Sequence, residues 1–190
     1  MSGSFHLDQS YEHIDHLKDP LASGEYENCT FTKCNFAKGD LSNYSFIDCT
    51  FADSDMSMAK FSNTGLKEVD FHNCKLLGIR FDHCLPFLLA VKFTQCQLNY
   101  CSFTKLKLKG THFSECDLNE TDFSGCDLSA AVFGDCKLVG TTFDQTILVK
   151  SDFRTAQGFE IDPENNRVRG AKFSKDGLIG LLGKYSLDIS

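Results

Sequence analysis

Large apolar side chains recur at every fifth residue through most of this chain, and few folds can use such a period. They run Tyr26, Phe31, Phe36, Leu41, Phe46, Phe51, Met56, Phe61, Leu66, Phe71, Leu76 and Phe81. After a step of seven they resume as Leu88, Phe93, Leu98, Phe103, Leu108, Phe113, Leu118, Phe123, Leu128, Phe133, Leu138, Phe143, Leu148 and Phe153. On a straight strand, residues five apart face opposite sides. On an α-helix they step around the axis by about 140° and leave no apolar stripe. The period works only if the chain bends once per unit, so that every centre points inward. Four bends of roughly 90° close a coil of about 20 residues, and coils stack at about 4.8 Å, the spacing of neighbouring strands. The 26 centres then make about six and a half coils and a rod of roughly 30 Å.

Two positions before each centre lies a second, mostly small set, among them Cys29, Cys34, Gly39, Ser54, Ala59, Thr64, Cys96, Thr111, Cys116, Thr121, Cys126 and Cys136. A tube this narrow holds one large and one small inward side chain per side, and the other three positions of each unit are largely polar. After Leu88, Phe and Leu alternate strictly, so like residues stack coil upon coil on opposite pairs of sides. Burial and aromatic stacking supply most of the stability, and hydrogen bonds between coils satisfy the backbone. All ten cysteines fall at the small position of one frame or the other, Cys84 only if the first frame is continued to Pro86, and no C-x-x-C occurs. They read as small hydrophobes that fill space, with Cys96, Cys116 and Cys136 in a vertical ladder, rather than as metal ligands or redox groups.

The phrases Cys-Asp-Leu-Asn at 116–119, Thr-Asp-Phe-Ser at 121–124 and Cys-Asp-Leu-Ser at 126–129 resemble the A-(D/N)-L-x-x motif of the pentapeptide-repeat family. The resemblance covers about residues 24–155 and implies that family's fold, an all-β solenoid wound as a right-handed quadrilateral β-helix. Three regions are expected: a leader over 1–23 that forms either a cap or a partial first coil, the β-helix over 24–155 with a register break at 82–90, and a last coil, capping helix and dimerisation tail over 156–190.

The break contains an apolar run, Leu85, Pro86, Phe87, Leu88, Leu89, Ala90 and Val91. Proline cannot donate to a ladder, so a bulge or short loop is expected. It either changes register between two sub-stacks or serves as a recognition loop on Leu85, Pro86 and Phe87. Near the end, Ser174 suits the N-cap of a short α-helix, with Asp176 in its first turn and Lys184 in its last. Leu178, Leu181, Leu182 and Tyr185 make its apolar face, while Gly180 and Gly183 permit close approach. An open solenoid end must be covered, and this helix either caps the rod alone or also pairs it with a second copy.

Net charge is −7, from 26 acidic and 19 basic side chains. That balance argues against direct, non-specific binding of nucleic acid, which needs a cationic surface. No apolar run reaches the roughly 18 residues of a membrane span. Met1–Ser10 has neither a basic n-region nor an apolar h-region, so a cytoplasmic protein with reduced thiols is expected. His6, His13 and His16 read as a solvated surface. No motif for a nucleophile, phosphate loop, zinc protease or dinucleotide site is present, and a filled rod offers no concave pocket. We expect no catalytic residues, metal or cofactor.

Charge is unevenly spread. From Gly110 to Cys136 there is no Lys or Arg, whereas Glu115, Asp117, Glu120, Asp122, Asp127 and Asp135 are acidic, an anionic belt somewhat longer than one coil. Asp117, Asp122 and Asp127 precede centres, where an Asp can hydrogen-bond the bend. Glu115, Glu120 and Asp135 lie two after centres, where no such role is expected. Lys105, Lys107 and Lys109 form a basic neighbour.

The mid-stack break, the ending through Ile161–Arg167 and the Leu-rich terminal helix resemble the topoisomerase-poison resistance subgroup: the quinolone-resistance, microcin B17 immunity and albicidin resistance proteins. Those relatives are dimeric rods that mimic B-form DNA and bind DNA gyrase or topoisomerase IV. The resemblance implies a DNA-mimicking binder that protects its topoisomerase from quinolones or peptide antibiotics and dimerises through its C-terminal helix. The alternative is a scaffold for a different protein partner, using the apolar 85–91 segment.

Overall fold

A computed structural model describes residues 4–185, 187 and 188, with the side chain of Leu88 outside the description. The bend is made at one position of the repeat. The residue two after most centres takes the left-handed conformation, His83, Ala90 and Thr155 being exceptions, and twenty-one such residues are not glycine, with φ from +51° to +64°. Gly78, Gly110, Gly125 and Gly140 fill the same position with φ near +70°. The corner is held between coils: the N–H of Asp48 reaches the carbonyl of Lys67 (2.9 Å), and that of Glu115 the carbonyl of Gly134 (2.7 Å). One residue before the centre, an aspartate ties the bend from the other side. The carboxylates of Asp40, Asp55, Asp117, Asp122 and Asp127 each accept the N–H two residues on, at 2.8–3.2 Å.

These units build a four-sided parallel solenoid. One side is a four-stranded sheet of β1 (Ser4–Leu7), β3 (Gly24–Glu27), β5 (Ser45–Ile47) and β7 (Gly65–Lys67). The next holds seven strands, in the order β2 (Ser10–Glu12), β4 (Thr30–Thr32), β6 (Thr50–Ala52), β8 (Val69–His72), β9 (Val91–Thr94), β10 (His112–Ser114) and β11 (Val132–Gly134). The register is 20 residues, as in Tyr26 against Phe46 and Phe31 against Phe51. Single bridges join the two remaining sides, through Asp15, Asn35, Asp55 and Lys75 on the third and Arg80, Ser102 and Asp122 on the fourth.

The interior is a set of side-chain columns. Tyr11, Phe31, Phe51, Phe71, Phe93, Phe113, Phe133, Phe153 and Phe173 stack in one unbroken pile, with neighbouring centroids 4.6–5.5 Å apart and planes within 12°. A second pile runs Phe81, Phe103, Phe123 and Phe143, and the two meet edge to face. The small position does more than fill space. Thr121 Oγ1 donates to the Leu98 carbonyl one coil below (2.8 Å), Ser151 Oγ to Leu128 (2.9 Å) and Cys126 Sγ to Phe103 (2.7 Å). Cysteine, serine and threonine thus exchange because each carries a donor to the same carbonyl. All ten thiols are free and buried.

The structure decides the forms of the leader, the break and the cap, and it corrects the surface placement of His6 and His16 and the α form of the terminal helix. Of the two forms open to the leader it takes the coil: β1 pairs with β3 from Ser4↔Gly24 onward, and His6, Tyr11, His16 and Leu21 continue the five-residue period. His6 therefore stacks on Tyr26 at 4.4 Å and shares a hydrogen bond with the Tyr11 hydroxyl (3.0 Å). His16 is 4% exposed, with Nδ1 accepting the N–H of Leu21. Only His13 is an exposed corner. Polar rings are tolerated inward here because the end coil gives each of them a partner.

The break, secondly, shifts the register by two residues and joins the two sub-stacks into one continuous stack. Val69↔Val91 and Phe71↔Phe93 pair at an offset of 22, and both phenylalanine piles pass through it, Phe71 on Phe93 at 5.3 Å and Phe81 on Phe103 at 4.6 Å. The two extra residues are taken up on the first side, where a short 3-10 turn at Pro86–Leu88 replaces a strand, after another at Phe81–His83 where the chain leaves the fourth side.

Finally, the terminal helix is 3-10 rather than α, over Asp176–Leu181 and Gly183–Tyr185. Gly177, Gly180 and Gly183 recur every three residues, so in a helix of three residues per turn they form one bare edge. That edge lies on the last coil: a β-carbon at Gly180 would stand 2.2 Å from the Phe159 carbonyl, and at Gly177 3.0 Å from its ring. Gly183 has only ordinary contacts there. The Ser174 hydroxyl accepts the Gly177 N–H (3.0 Å), as a cap would.

Candidate interaction surfaces

The six belt acids are spread around the rod. Glu115 and Asp135 share one corner on successive coils, Asp117 lies on the adjoining third side, Glu120 on the next corner and Asp122 on the fourth side. Those five make a continuous arc. Asp127 is on the first side, across the rod from Asp117, and pairs with Lys109 at 3.2 Å. Seryl and lysyl hydrogen bonds hold its carboxyl below the usual range, against a partial burial that pushes it up. Asp117 also accepts from Asn99 Nδ2 (2.7 Å), and Asp122 from the Ser124 hydroxyl (2.6 Å). Glu115, Glu120 and Asp135 are exposed and occupy left-handed corners. The backbone at that position makes the corner, but their carboxylates hydrogen-bond no bend, as the sequence reading expected, and Glu115 accepts only from Gln95 (3.0 Å).

The break presents a different chemistry. Phe87 is 81% exposed, Pro86 is exposed and Leu85 half-buried. The segment leans towards the coil below, with Leu85 and Ala90 N–H groups bonded to Thr64 and Leu66 carbonyls at 2.9 and 2.8 Å. A shallow notch of about 230 Å³ opens above it, edged by Lys92, Lys107, Lys109 and His112 and by Glu68 and Asp70. At the far end, Leu181 packs partly against the core, whereas Leu178, Ile179, Leu182 and Tyr185 are exposed. Lys184 ties this cap down through Asp162 (2.8 Å) and Glu164 (2.5 Å). Among the described residues no His, Cys, Asp or Glu cluster is arranged to hold a metal, and no helix is long and apolar enough to cross a membrane.

The family description "Pentapeptide repeat region" matches residues 25–100 and 96–178, most of the chain. The chain belongs to the pentapeptide-repeat family. Among solved pentapeptide-repeat structures, a trypsin-treated variant of QnrB1, a plasmid-mediated fluoroquinolone resistance protein, superposes with a TM-score of 0.60 at 18% identity, covering 100% of this chain and 92% of its own. HetL, a pentapeptide-repeat protein involved in heterocyst differentiation regulation in a Nostoc cyanobacterium, gives 0.50 at 15% identity, covering 93% and 87%. Both likenesses concern the fold. No curated protein matches in sequence.

Two features of this pentapeptide-repeat rod escaped sequence reasoning. The first coil and the residues just after it carry Asp8, Glu12, Asp15, Asp19, Glu25 and Glu27 against the single Lys18, a second acidic zone hidden by treating the leader as separate. Met58 and Tyr100 also project from corners at 60% and 69% exposure. The signal for both was the five-residue count itself, carried back to residue 6 and read for its corner position.

Proposed function

We propose that this rod binds a type II topoisomerase, DNA gyrase or topoisomerase IV, as a mimic of duplex DNA, and protects it from poisons such as quinolones or peptide antibiotics. The supporting observation is the charge density of the belt on a rigid scaffold. Of the six carboxylates within Gly110–Cys136, a stretch of sequence without a cation, five lie on one arc; at about 4.8 Å per 20-residue coil that is about one charge per 1–1.5 Å of axis. Duplex DNA carries one per about 1.7 Å. A basic saddle shaped for DNA therefore meets a comparable local field on a solid surface, and no bond need be made or broken. The reading includes a homodimer formed through Leu178, Leu181, Leu182 and Tyr185 at the capped end.

The binding test is charge reversal at Glu115, Glu120 and Asp135, whose carboxylates make none of the turn hydrogen bonds. With all three changed to Lys, affinity for gyrase should fall at least about tenfold and its salt dependence should flatten. Unchanged affinity and slope would contradict mimicry. A second reading, a scaffold for another protein, draws on the exposed Phe87 at the break. It predicts instead that Phe87→Ser removes binding while the charge reversals do not.

A further inference from the structure

Of the twenty-one non-glycine residues at left-handed corners, only Met58, Tyr100 and Ala130 lack a strongly polar side chain. Met58 and Tyr100 share one corner column. Its backbone ladder runs from Met58 N–H to Leu77 O (2.8 Å), Gly78 N–H to Asn99 O (3.0 Å), Tyr100 N–H to Asn119 O (3.2 Å) and Glu120 N–H to Val139 O (2.9 Å). Met58, Gly78, Tyr100 and Glu120 therefore stand one above another on successive coils. The Met58 thioether lies over Gly78, 2.7 Å from where a β-carbon would be, so sulfur fills the step below Tyr100. A left-handed φ disfavours bulky side chains, and at 69% exposure the Tyr100 ring adds nothing to the buried core. Asn or Gly would serve the corner better, as at Asn43, Asn63 and Gly125. Strain without a folding benefit points to function.

We propose that Met58 and Tyr100 form the apolar anchor of the partner interface, and that the anchor takes an arginine on a basic protein surface. The inference rests on the belt being partner-facing. Glu120 is the next rung above Tyr100, and Asp117 and Asp122 lie on the two sides that meet at this corner. An arginine stacked on the phenol ring can reach these carboxylates with its planar fork. A lysine can pair with them but gains little from the ring. Below Tyr100 the same two sides carry Lys60, Lys75 and Arg80 beside Asp40, Asp55 and Asp82, with Arg80 paired to Asp82 at 2.6 Å, a mixed field that, unlike Asp117, Glu120 and Asp122, offers a basic partner no net attraction. Aromatic and arginine contacts of this kind dominate binding energy where they are enclosed.

The experiment compares the wild type, Met58→Asn/Tyr100→Asn and the three-lysine belt variant. Asn tolerates the left-handed corner, and circular dichroism with thermal melting verifies the fold. Gyrase binding should weaken about tenfold or more in the Asn variant, with the salt slope kept, whereas the belt variant loses slope as well. In parallel, NMR of the tyrosine rings follows titration with octa-arginine and octa-lysine peptides, and Tyr100 should respond more strongly to octa-arginine. Wild-type gyrase affinity in the Asn variant overturns the anchor and leaves the belt standing. If the wild type binds neither topoisomerase, the belt reading fails and the peptides decide the anchor. An arginine preference lost in Tyr100→Asn supports it, and equal responses to the two peptides overturn it.

Discussion

At residue scale the five positions of the repeat carry separable duties: a large centre, a left-handed corner two residues on, a donor two residues before and an Asx turn just before. The donor position sets a pH dependence. Burial pushes the thiols up, Cys49 to about 11 and Cys101 and Cys126 to about 12, while an unfolded thiol ionises near pH 8.5. Below about pH 8 both states keep these protons, and this contribution to stability is constant. Above about pH 9 the unfolded chain releases protons that the folded chain retains, which favours unfolding progressively towards pH 11–12. The melting temperature should therefore hold level from pH 7 to 8 and fall as pH rises beyond 9. In a variant with Cys49, Cys101 and Cys126 replaced by Ser, the alkaline fall should be shallower; an identical profile would show that the thiols do not set it.

At the scale of elements, the break and the cap are departures from the repeat, and the structure gives each a physical reason. Deleting Pro86 and Phe87 would place Leu88 five residues after Phe81 and Cys84 at the small position, restoring the 20-residue coil. Because the aromatic piles already run through the break, the shortened protein should fold with a melting temperature within a few degrees of the parent or higher. A collapse of stability, read by calorimetry, would show that the insertion is structural. The stacked interior was legible from residue 24 to 153 because one side-chain class recurs at one interval. The first coil was not, because His6 and His16 occupy centres and break the apolar signature. The 3-10 cap was not, because its leucines fit an α-helical face equally well; only the glycine spacing at 177, 180 and 183 separates the two.

As a whole molecule, the rod has banded charge: −5 over 4–27, +3 over 28–109, −6 over 110–136 and +1 over 137–188, which sum to the −7 of the chain. A partner reading charge along the axis is thus offered two acidic zones flanking a basic one. Of the candidate belt, the acids were legible as a run without cations, but their arc over the third and fourth sides, and the separation of Asp127 from it, needed the coil geometry. The exposed Ile179, Leu182 and Tyr185 at the cap predict a dimer, so Ile179→Glu with Leu182→Glu should sediment at half the parent's mass while keeping its melting cooperativity. A parent that is already monomeric would contradict that element of the reading. The most direct test of the whole account is gyrase supercoiling in the presence of a fluoroquinolone, with purified protein added up to an equimolar dose and topoisomerase IV decatenation run alongside. The account predicts that activity is restored by the wild type and not by the three-lysine belt variant; failure to restore either enzyme against a fluoroquinolone, albicidin or microcin B17 would contradict it.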